Sequence, residues 1–566
     1  MANNKKLILM LLYILGVAML SMPYLVQHSG LLILMGLVPL FTIDRLLHEW
    51  NLRRKFMYYY LMFFLWNLAT TFWIWRATIP GAIAAVLFNS LQMTVIYYCF
   101  TWFRKKTTSG LAYLFLIFGW LAWEHIYFDT EISWPWLTLG NAIASAHKNI
   151  QWYEYTGVLG GSLWILVTNI MIFEFTGISS KMERFATYLK KGKADNSGAG
   201  EKRPVDRIRS RQQIWRLAVT LFVIHFPFVW SQIMYDTYNE SKDKREILVL
   251  QPNIDPYNEK FEGMGQYEQD IKLIDLAKRG MSPSVALIVA PETFTSGIVE
   301  NIPWRNESVT RFREFILRHP SASFIFGATT FYFYVNRGVP VEVRPDYTAR
   351  RSSAGEWYDA YNSAVFMDTS GVRKFYHKSK LVVMVEYLPY PQYLTFVNDL
   401  AIDLGGTTGS LGTQPEREIF IPANDTSLKV GTAICYESVY GNFFREYILK
   451  GANLMTIITN DGWWGDTPGY RQHLNYARLR AIETRRSIAR SANTGISALI
   501  NEKGDIVQKT EWWKEDYLKG KLTINNRTTL FVKYGDFIGR CASYSLFLFI
   551  ALALLIKMRI YGKEKV

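Results

Sequence analysis

The stretch LKVGTAICYES, Leu428 to Ser438, runs apolar for the length of a strand and then breaks on a thiol, a phenol, a carboxyl and a hydroxyl. Residues just past the carboxyl end of a buried strand leave the core and face a crevice, which is where α/β sheets place their chemistry. Two later runs share the pattern: LMTIITND, Leu454 to Asp461, stops on Asn460 and Asp461, and RSIARSANTGISALI spans Arg486 to Ile500. Upstream lie EILVLQPNI from Glu246, VALIVAPET from Val285, SFIFGATTFYF from Ser323 and YNSAVFMD from Tyr361. Helical periodicity is predicted between them over residues 264–279, 308–318, 440–450 and 469–485. Residues 246 to about 522 therefore read as a single α/β domain, long enough to bury one core.

Outside that segment the composition changes. Half of the 566 residues are apolar, 16% are aromatic and 20% are charged, which excludes a disordered or fibrous chain and implies contact with lipid. The mean hydropathy of +0.02 is too low for a chain that is membrane throughout. Apolar runs near spanning length fall at about 7–26, 30–43, 56–75, 81–103, 110–128, 156–175, 215–235 and 537–556. The second is short, and is either tilted, re-entrant or extended past Asp44. The first follows Lys5 and Lys6 without a small-residue cleavage site after it, and is read as an anchor rather than a signal peptide. The expected division is a seven-span bundle over 1–235, a catalytic domain outside the cytoplasm over 236–535, and an eighth span with a basic cytoplasmic tail over 536–566.

Basic residues fix the orientation, because loops rich in Lys and Arg stay cytoplasmic. They cluster at Lys5 and Lys6, at Arg45, Arg53, Arg54 and Lys55, at Arg104 to Lys106, through 181–211, and in the tail at Lys557, Arg559, Lys563 and Lys565. The gaps between these clusters carry almost none. Both termini are thus expected in the cytoplasm and the α/β domain on the outer side. These segments also account for essentially all of the net charge of +15, so the basic balance is topological and no nucleic-acid partner is implied. The stretch from Lys202 to Arg211 can in addition touch anionic headgroups.

Three positions stand out. Glu292, after the strand of VALIVAPET, is a carboxyl at an apolar strand end, suited to a general base or to a structural ion pair. In KFYHKSKL, Lys378 and Lys380 are expected on one strand face with His377 opposite, a face that is either functional or simply solvated. Cys435 is a candidate nucleophile, since a helix amino terminus and a nearby ammonium both favour a thiolate, although lone cysteines in apolar strands are commonly inert core residues. Cys99, Cys435 and Cys541 lie far apart, without ligand spacing, so neither a disulfide framework nor a zinc site is expected.

Together the segments around Glu292, Lys378 and Cys435 resemble the nitrilase superfamily, whose members carry a Glu, Lys, Cys triad in this order on an α-β-β-α sandwich. With the spans around it the chain resembles, over essentially its full length, the apolipoprotein N-acyltransferase family of bacterial inner-membrane enzymes. The most specific part is the run from Cys435 through TNDGWWGDTPGYRQHLNYARLRAIETRRSIARSANTGIS. The resemblance implies Glu292 as general base, Lys378 as oxyanion-stabilising lysine, Cys435 as nucleophile and Glu386 as a further essential glutamate. It matches Glu437 to the acid two residues past the cysteine and Tyr436 to the tyrosine between them. One departure is the form KSKLVVMVEYLP, where the family shows K-x-H-L-V-P-F-G-E-Y: Lys380 replaces the histidine, and Val383, Met384 and Val385 replace Pro-Phe-Gly.

The implied reaction is a ping-pong transfer of an acyl chain from a phospholipid, through a thioester on Cys435, to the α-amino group of a diacylated apolipoprotein. The implied partners are those two lipids and the membrane, and the expected state is a monomer. No metal and no other cofactor is required, and no phosphate-binding or dinucleotide-binding glycine pattern occurs. Tyr387, Tyr390, Tyr393 and Phe396 in one loop, and Trp463 and Trp464 in another, are expected at a lipid-facing mouth or in the core. Asn460, Asp461, His473, Arg478 and Arg480 either bind a headgroup or, preferably, brace the catalytic strands. Glu124 and His125 are expected to shape the lipid entrance or to reach the interface. The competing reading is a membrane-tethered nitrilase-like amidase, which needs water at Cys435 and only one anchor.

Overall fold

A computed structural model describes residues 2–175, 204–259, 263–336, 339–340, 343–390 and 410–564. Tyr393, Phe396 and the basic residues of 181–203 lie outside them.

The amino-terminal part is helical: α1 (Ala2–Leu25), α2 (Val38–Glu49), α3 (Lys55–Thr71), α4 (Ile79–Lys106), α5 (Ser109–Tyr127), α6 (Tyr153–Phe175) and α7 (Pro204–Thr237). Among the described residues, seven helical segments are long and apolar enough to cross a membrane: Asn4–Leu25, Gly30–Glu49, Ile79–Lys106, Ser109–Tyr127, Tyr153–Phe175, Gln212–Thr237 and Phe537–Met558. The second runs on past Asp44, whose buried carboxylate accepts from Tyr59 and pairs with Arg104. The remaining expected span, near 56–75, is not a full α-helix. Its regular part, α3, has 17 residues and tightens into a 3-10 segment, Phe72–Arg76. There the Gln472 side chain donates to the Thr70 carbonyl at 3.2 Å and accepts from the Trp73 indole at 3.2 Å, so this helix end is shaped by docking to the α/β body.

That body contains β1 (Lys244–Gln251), α8 (Gln266–Gly280), β2 (Val285–Val289), β3 (Thr295–Val299), α9 (Glu307–Leu317), β4 (Ser323–Phe333), β5 (Val335–Asn336), β6 (Val339–Pro340), β7 (Arg350–Arg351), β8 (Trp357–Asp368) and β9 (Gly371–His377). It continues through β10 (Ile419–Phe420), β11 (Val430–Ile434), α10 (Gly441–Leu449), β12 (Leu454–Thr459), α11 (Pro468–Thr484), β13 (Ile488–Ala492), β14 (Ala498–Ile500), β15 (Ile506–Lys509) and β16 (Asp516–Thr523). Then α12 (Leu530–Tyr534) leads into the last helix, α13 (Phe537–Glu564).

One eight-stranded sheet has the order β16-β1-β2-β4-β8-β7, with β3 on β4 and β9 on β8; a six-stranded sheet runs from β10 to β15 in sequence order. The crossovers β1 to β2, β2 to β4, β11 to β12 and β12 to β13 join parallel strands, as intervening helices require. Alternation along β1 sets the layers. Ile247 and Val249 join the core shared with Val430, Ile434 and Ile457 of the other sheet. Leu248 and Leu250 instead meet Leu273 and Ala277 of α8 and Phe312 of α9. With α10 and α11 on the second sheet, the result is the expected α-β-β-α sandwich. RSIARSANTGISALI forms two antiparallel strands, β13 and β14, because Asn493 to Ser497 turn the chain back.

Polar contacts hold this body on the bundle. Glu483 accepts from the Val158 amide at 3.0 Å, Arg485 pairs with Glu154, and Tyr476 donates to the Trp136 carbonyl at 2.8 Å. Glu124 takes part in the same framework. It is buried and accepts from the Leu139 amide and the Trp120 indole, while His125 faces Ser543, so neither lines the catalytic cavity expected of a lipid entrance.

Candidate active site

Glu292, Lys378 and Cys435 come from three different strand ends and line one cavity of about 430 Å³. Beyond β2 the chain passes through Pro291 to Glu292, and the Pro291 carbonyl accepts from the Gly327 amide of β4 at 3.0 Å. The two backbones run so close that a Cβ on Gly327 would stand 2.5 Å from the Glu292 Cα. Gly327→Ala is therefore expected to displace Glu292 and slow acylation of Cys435 by a substrate ester about a hundredfold, the effect of a shift near 1 Å, as measured by the rate of acyl-adduct formation under matched folding.

Lys378 is 1% exposed. Its Nζ donates to Glu292 Oε1 and Glu386 Oε1, both at 2.9 Å. Asn362 on β8 repeats the bridge, its amide donating to the same two oxygens at 2.8 and 2.9 Å. The Glu292 Oε2 atom accepts from the Asn460 amide at 3.1 Å, and Glu386 Oε2 from the Val382 amide at 2.8 Å. Burial would depress the Lys378 ammonium, but the carboxylates of Glu292 and Glu386 outweigh it and hold the pKa well above the ordinary value. This lysine stays charged.

Lys378 and Lys380 do not share a strand face. β9 ends at His377, the Lys378 amide still donates to the Asn362 carbonyl, and the chain then turns. Lys380 ends over the Tyr440 ring, with its Nζ donating to the Phe128 carbonyl at 3.0 Å. In the divergent loop, Met384 takes φ +62° and its amide donates to the Tyr387 carbonyl, a tight turn that brings Glu386 back onto the Val382 carbonyl.

Cys435 opens a 3-10 segment, Cys435–Val439, with φ +49°, a left-handed conformation costly for a residue with a side chain. The strain is held by partners. The Ser438 hydroxyl donates to the Cys435 carbonyl at 2.7 Å, and His473 Nε2 lies 3.1 Å from the same oxygen. Burial and the facing Glu292 charge push the thiol well above its usual pKa, against Lys378, which lowers it. The resting group is a thiol, not the thiolate that the helix-terminus argument favoured, because desolvation and the carboxylate outweigh the ammonium. Its alkylation by iodoacetamide is accordingly expected to be slow at neutral pH and to rise steeply through alkaline pH.

The supporting candidates divide. Glu386, Asn460, Trp463 and Trp464 line the cavity, with Phe294, Phe331, Val382, Val385 and Leu411 making its walls apolar. Glu437 is fully buried and turned away, accepting from the Ser379 and Ile434 amides at 2.7 and 2.8 Å and from the Tyr376 hydroxyl at 2.8 Å. It thereby ties the segment after Lys378 to the nucleophile turn. Tyr436 stacks on Trp134 of the bundle and donates to the Ser133 carbonyl; Tyr387 donates to the Glu131 carbonyl. Asp461 is also behind the site. Burial opposes its charge, but Arg490 and His473 hold it below the usual carboxylate range. Arg478 and Arg480 bond to the Gly504 and Val439 carbonyls, which is bracing rather than ligand binding. Asn362 was not singled out by sequence reasoning. The available signal was an amide followed by Ser363 just before the apolar run Ala364 to Met367 of the same strand.

Two family profiles match the chain: the carbon-nitrogen hydrolase domain over residues 249–529, and the apolipoprotein N-acyltransferase N-terminal domain over residues 15–171. A similar protein is the apolipoprotein N-acyltransferase of Chlorobaculum tepidum, 28% identical over 523 residues, covering 90% of this chain and 89% of the relative. The apolipoprotein N-acyltransferase 1 of Treponema denticola is 24% identical over 459 residues, covering 76% and 75%. Among solved structures, Nit3 of Saccharomyces cerevisiae, a nitrilase-superfamily member, matches 50% of this chain and 92% of its own at 14% identity, with a TM-score of 0.35.

Proposed function

The chain belongs to the apolipoprotein N-acyltransferase family, and from that premise we propose that this membrane-embedded enzyme acylates lipoproteins by a cysteine thioester, with a phospholipid as donor. The observation that carries the mechanism is the buried Glu292–Lys378–Glu386 arrangement, bridged a second time by Asn362, beside a protonated Cys435.

In the first half-reaction Glu292 takes the Cys435 proton, and the sulfur attacks the ester carbonyl of the donor. Oε2 is the oxygen suited to this, since Oε1 already accepts from both Lys378 and Asn362. An ammonium has three N–H bonds, and two of those of Lys378 are committed to carboxylates. The third, with backbone N–H groups of the turn that Cys435 opens, holds the oxyanion. The C–O bond breaks, Glu292 returns the proton to the lysophospholipid oxygen, and the acyl chain remains on sulfur. In the second half-reaction the free α-amino group of the diacylglyceryl-modified cysteine attacks the thioester. Glu292 takes a proton from nitrogen as the C–N bond forms, and the C–S bond breaks to return the thiol. The apolar walls suit an acyl chain and exclude the water that would hydrolyse the thioester.

The distribution of basic residues supports a cytoplasmic-membrane location, with both termini in the cytoplasm and the α/β domain on the periplasmic side. A monomer suffices, because every group used comes from one chain.

Intact mass spectrometry of the full chain mixed with phospholipid tests the reading. An acyl increment on Cys435 that discharges onto a diacylated lipopeptide is the expected result. Discharge to water alone would favour an amidase-like hydrolase, and no increment with any phospholipid would overturn the proposal.

A further inference from the structure

In the short gaps between the amino-terminal spans, cations cluster on the side assigned to the cytoplasm, and Arg76 is an exception. It closes the 3-10 segment Phe72–Arg76 between α3 and α4, on the side that carries the catalytic body. Its side chain is exposed, its guanidinium lies over the Trp75 ring at 5.0 Å, and among the described residues it has no acidic partner. It also stands at the catalytic mouth. The next residue, Ala77, lines the cavity together with Trp463 and Trp464. The Tyr257 hydroxyl donates to the Trp463 carbonyl at 2.6 Å and lies 3.5 Å from the Arg76 carbonyl, joining the two rims. A Cβ built on Gly465 would be 4.0 Å from the Arg76 Nε, so the guanidinium closes against the loop that carries both tryptophans.

A guanidinium without an acidic partner among the described residues, next to the end of a span and beside an apolar cavity, matches a phosphodiester, which it can grip with two parallel N–H bonds. The two substrates of the proposed reaction differ in that group. The donor phospholipid carries a phosphodiester next to its ester bonds, and the diacylglyceryl thioether of the acceptor carries none. Resting on the acyl-transfer reading above, we propose that Arg76 is a donor-specific binding residue: it holds the phosphate of the phospholipid while the thioester forms and makes no contribution once the acceptor occupies the same cavity. An arginine serving only as an interfacial anchor would affect both half-reactions alike.

The test separates the half-reactions in the full-length protein. Acyl-enzyme formation is followed by mass spectrometry against phosphatidylglycerol concentration, and discharge of preformed acyl-enzyme is followed with a diacylated lipopeptide. For Arg76→Gln, the half-saturating phospholipid concentration is expected to rise about tenfold, as for loss of one charge-assisted contact. The limiting rate should change less than twofold, discharge should be unchanged, and Arg76→Lys should recover part of the loss. With 1,2-diacylglycerol, an ester donor lacking phosphate, the wild type and Arg76→Gln should behave alike. Equal losses in both half-reactions, an equal loss with diacylglycerol, or no change with phospholipid would overturn the assignment. Failure of the wild type itself to form an acyl-enzyme is a different result, which overturns the proposed function and this inference with it.

Discussion

Cys435→Ser is expected to abolish the acyl adduct and to lower transfer by at least about 10⁴-fold, the scale on which loss of a catalytic nucleophile is felt. The substitution is nearly isosteric, and the position is 8% exposed with its carbonyl held by Ser438 and His473, so the fold should survive unchanged. The chemistry does not survive. Burial and Glu292 already raise the Cys435 thiol well above its ordinary pKa, and the same surroundings leave a far less acidic hydroxyl protonated throughout the working range. Intact mass after incubation with phospholipid, alongside a thermal melt, reads both halves of the expectation. An acyl increment that persists in a folded Cys435→Ser chain would place the nucleophile elsewhere.

Glu292→Gln should slow acyl-enzyme formation by about 10²–10⁴-fold, the range of a lost general base. The amide keeps the shape of the site and can still accept from Lys378, so the loss belongs to proton transfer rather than to collapse. The variant also changes the pH dependence in a definite direction. The Glu292 carboxylate raises the Cys435 pKa and Lys378 lowers it, so removing the carboxylate leaves the ammonium less opposed. Alkylation of Cys435 by iodoacetamide should therefore reach half its maximal rate at lower pH in Glu292→Gln than in the wild type, while acyl transfer falls. A faster-titrating thiol in a slower enzyme separates thiolate formation from general-base catalysis. A parallel fall in both, or an upward shift of the alkylation profile, would contradict the arrangement.

Much of the fold is local information and was legible along the chain. Apolar runs long enough to span a bilayer, and the shift to strand-length runs near Glu246, divide it into a membrane part and an α/β part, because run length and periodicity depend only on neighbours in sequence. The candidate triad was legible in part for a related reason. Glu292 and Cys435 each follow an apolar run, where a polar group is conspicuous in one dimension, whereas Lys378 follows the polar-studded GVRKFYH and was singled out by the family resemblance.

Side-chain direction past a strand end was not legible. Period-two alternation placed Lys378 and Lys380 on one face, but β9 stops at His377 and the turn sends Lys378 to Glu292 and Lys380 to Phe128. Whether Asp461 binds a headgroup or braces the strands, and where Glu437 points, could not be read from proximity to Asn460 and Cys435; both face inward, Glu437 to backbone amides and Asp461 to Arg490 and His473. Asn362 stands 70 residues from Glu292 in the chain, and only the antiparallel pairing of β8 with β4 brings its amide to the carboxylate. The third apolar run likewise gave no sign that Gln472 would draw its end into a tighter turn. Run length and periodicity along the chain sufficed to mark the apolar helices, most of the strands and the thiol at a strand end, since both depend only on neighbours in sequence. The tertiary structure alone decided which carboxylates meet the lysine, because those contacts join strand ends far apart in the chain and depend on backbone turns, such as the left-handed one at Cys435, that no periodicity encodes.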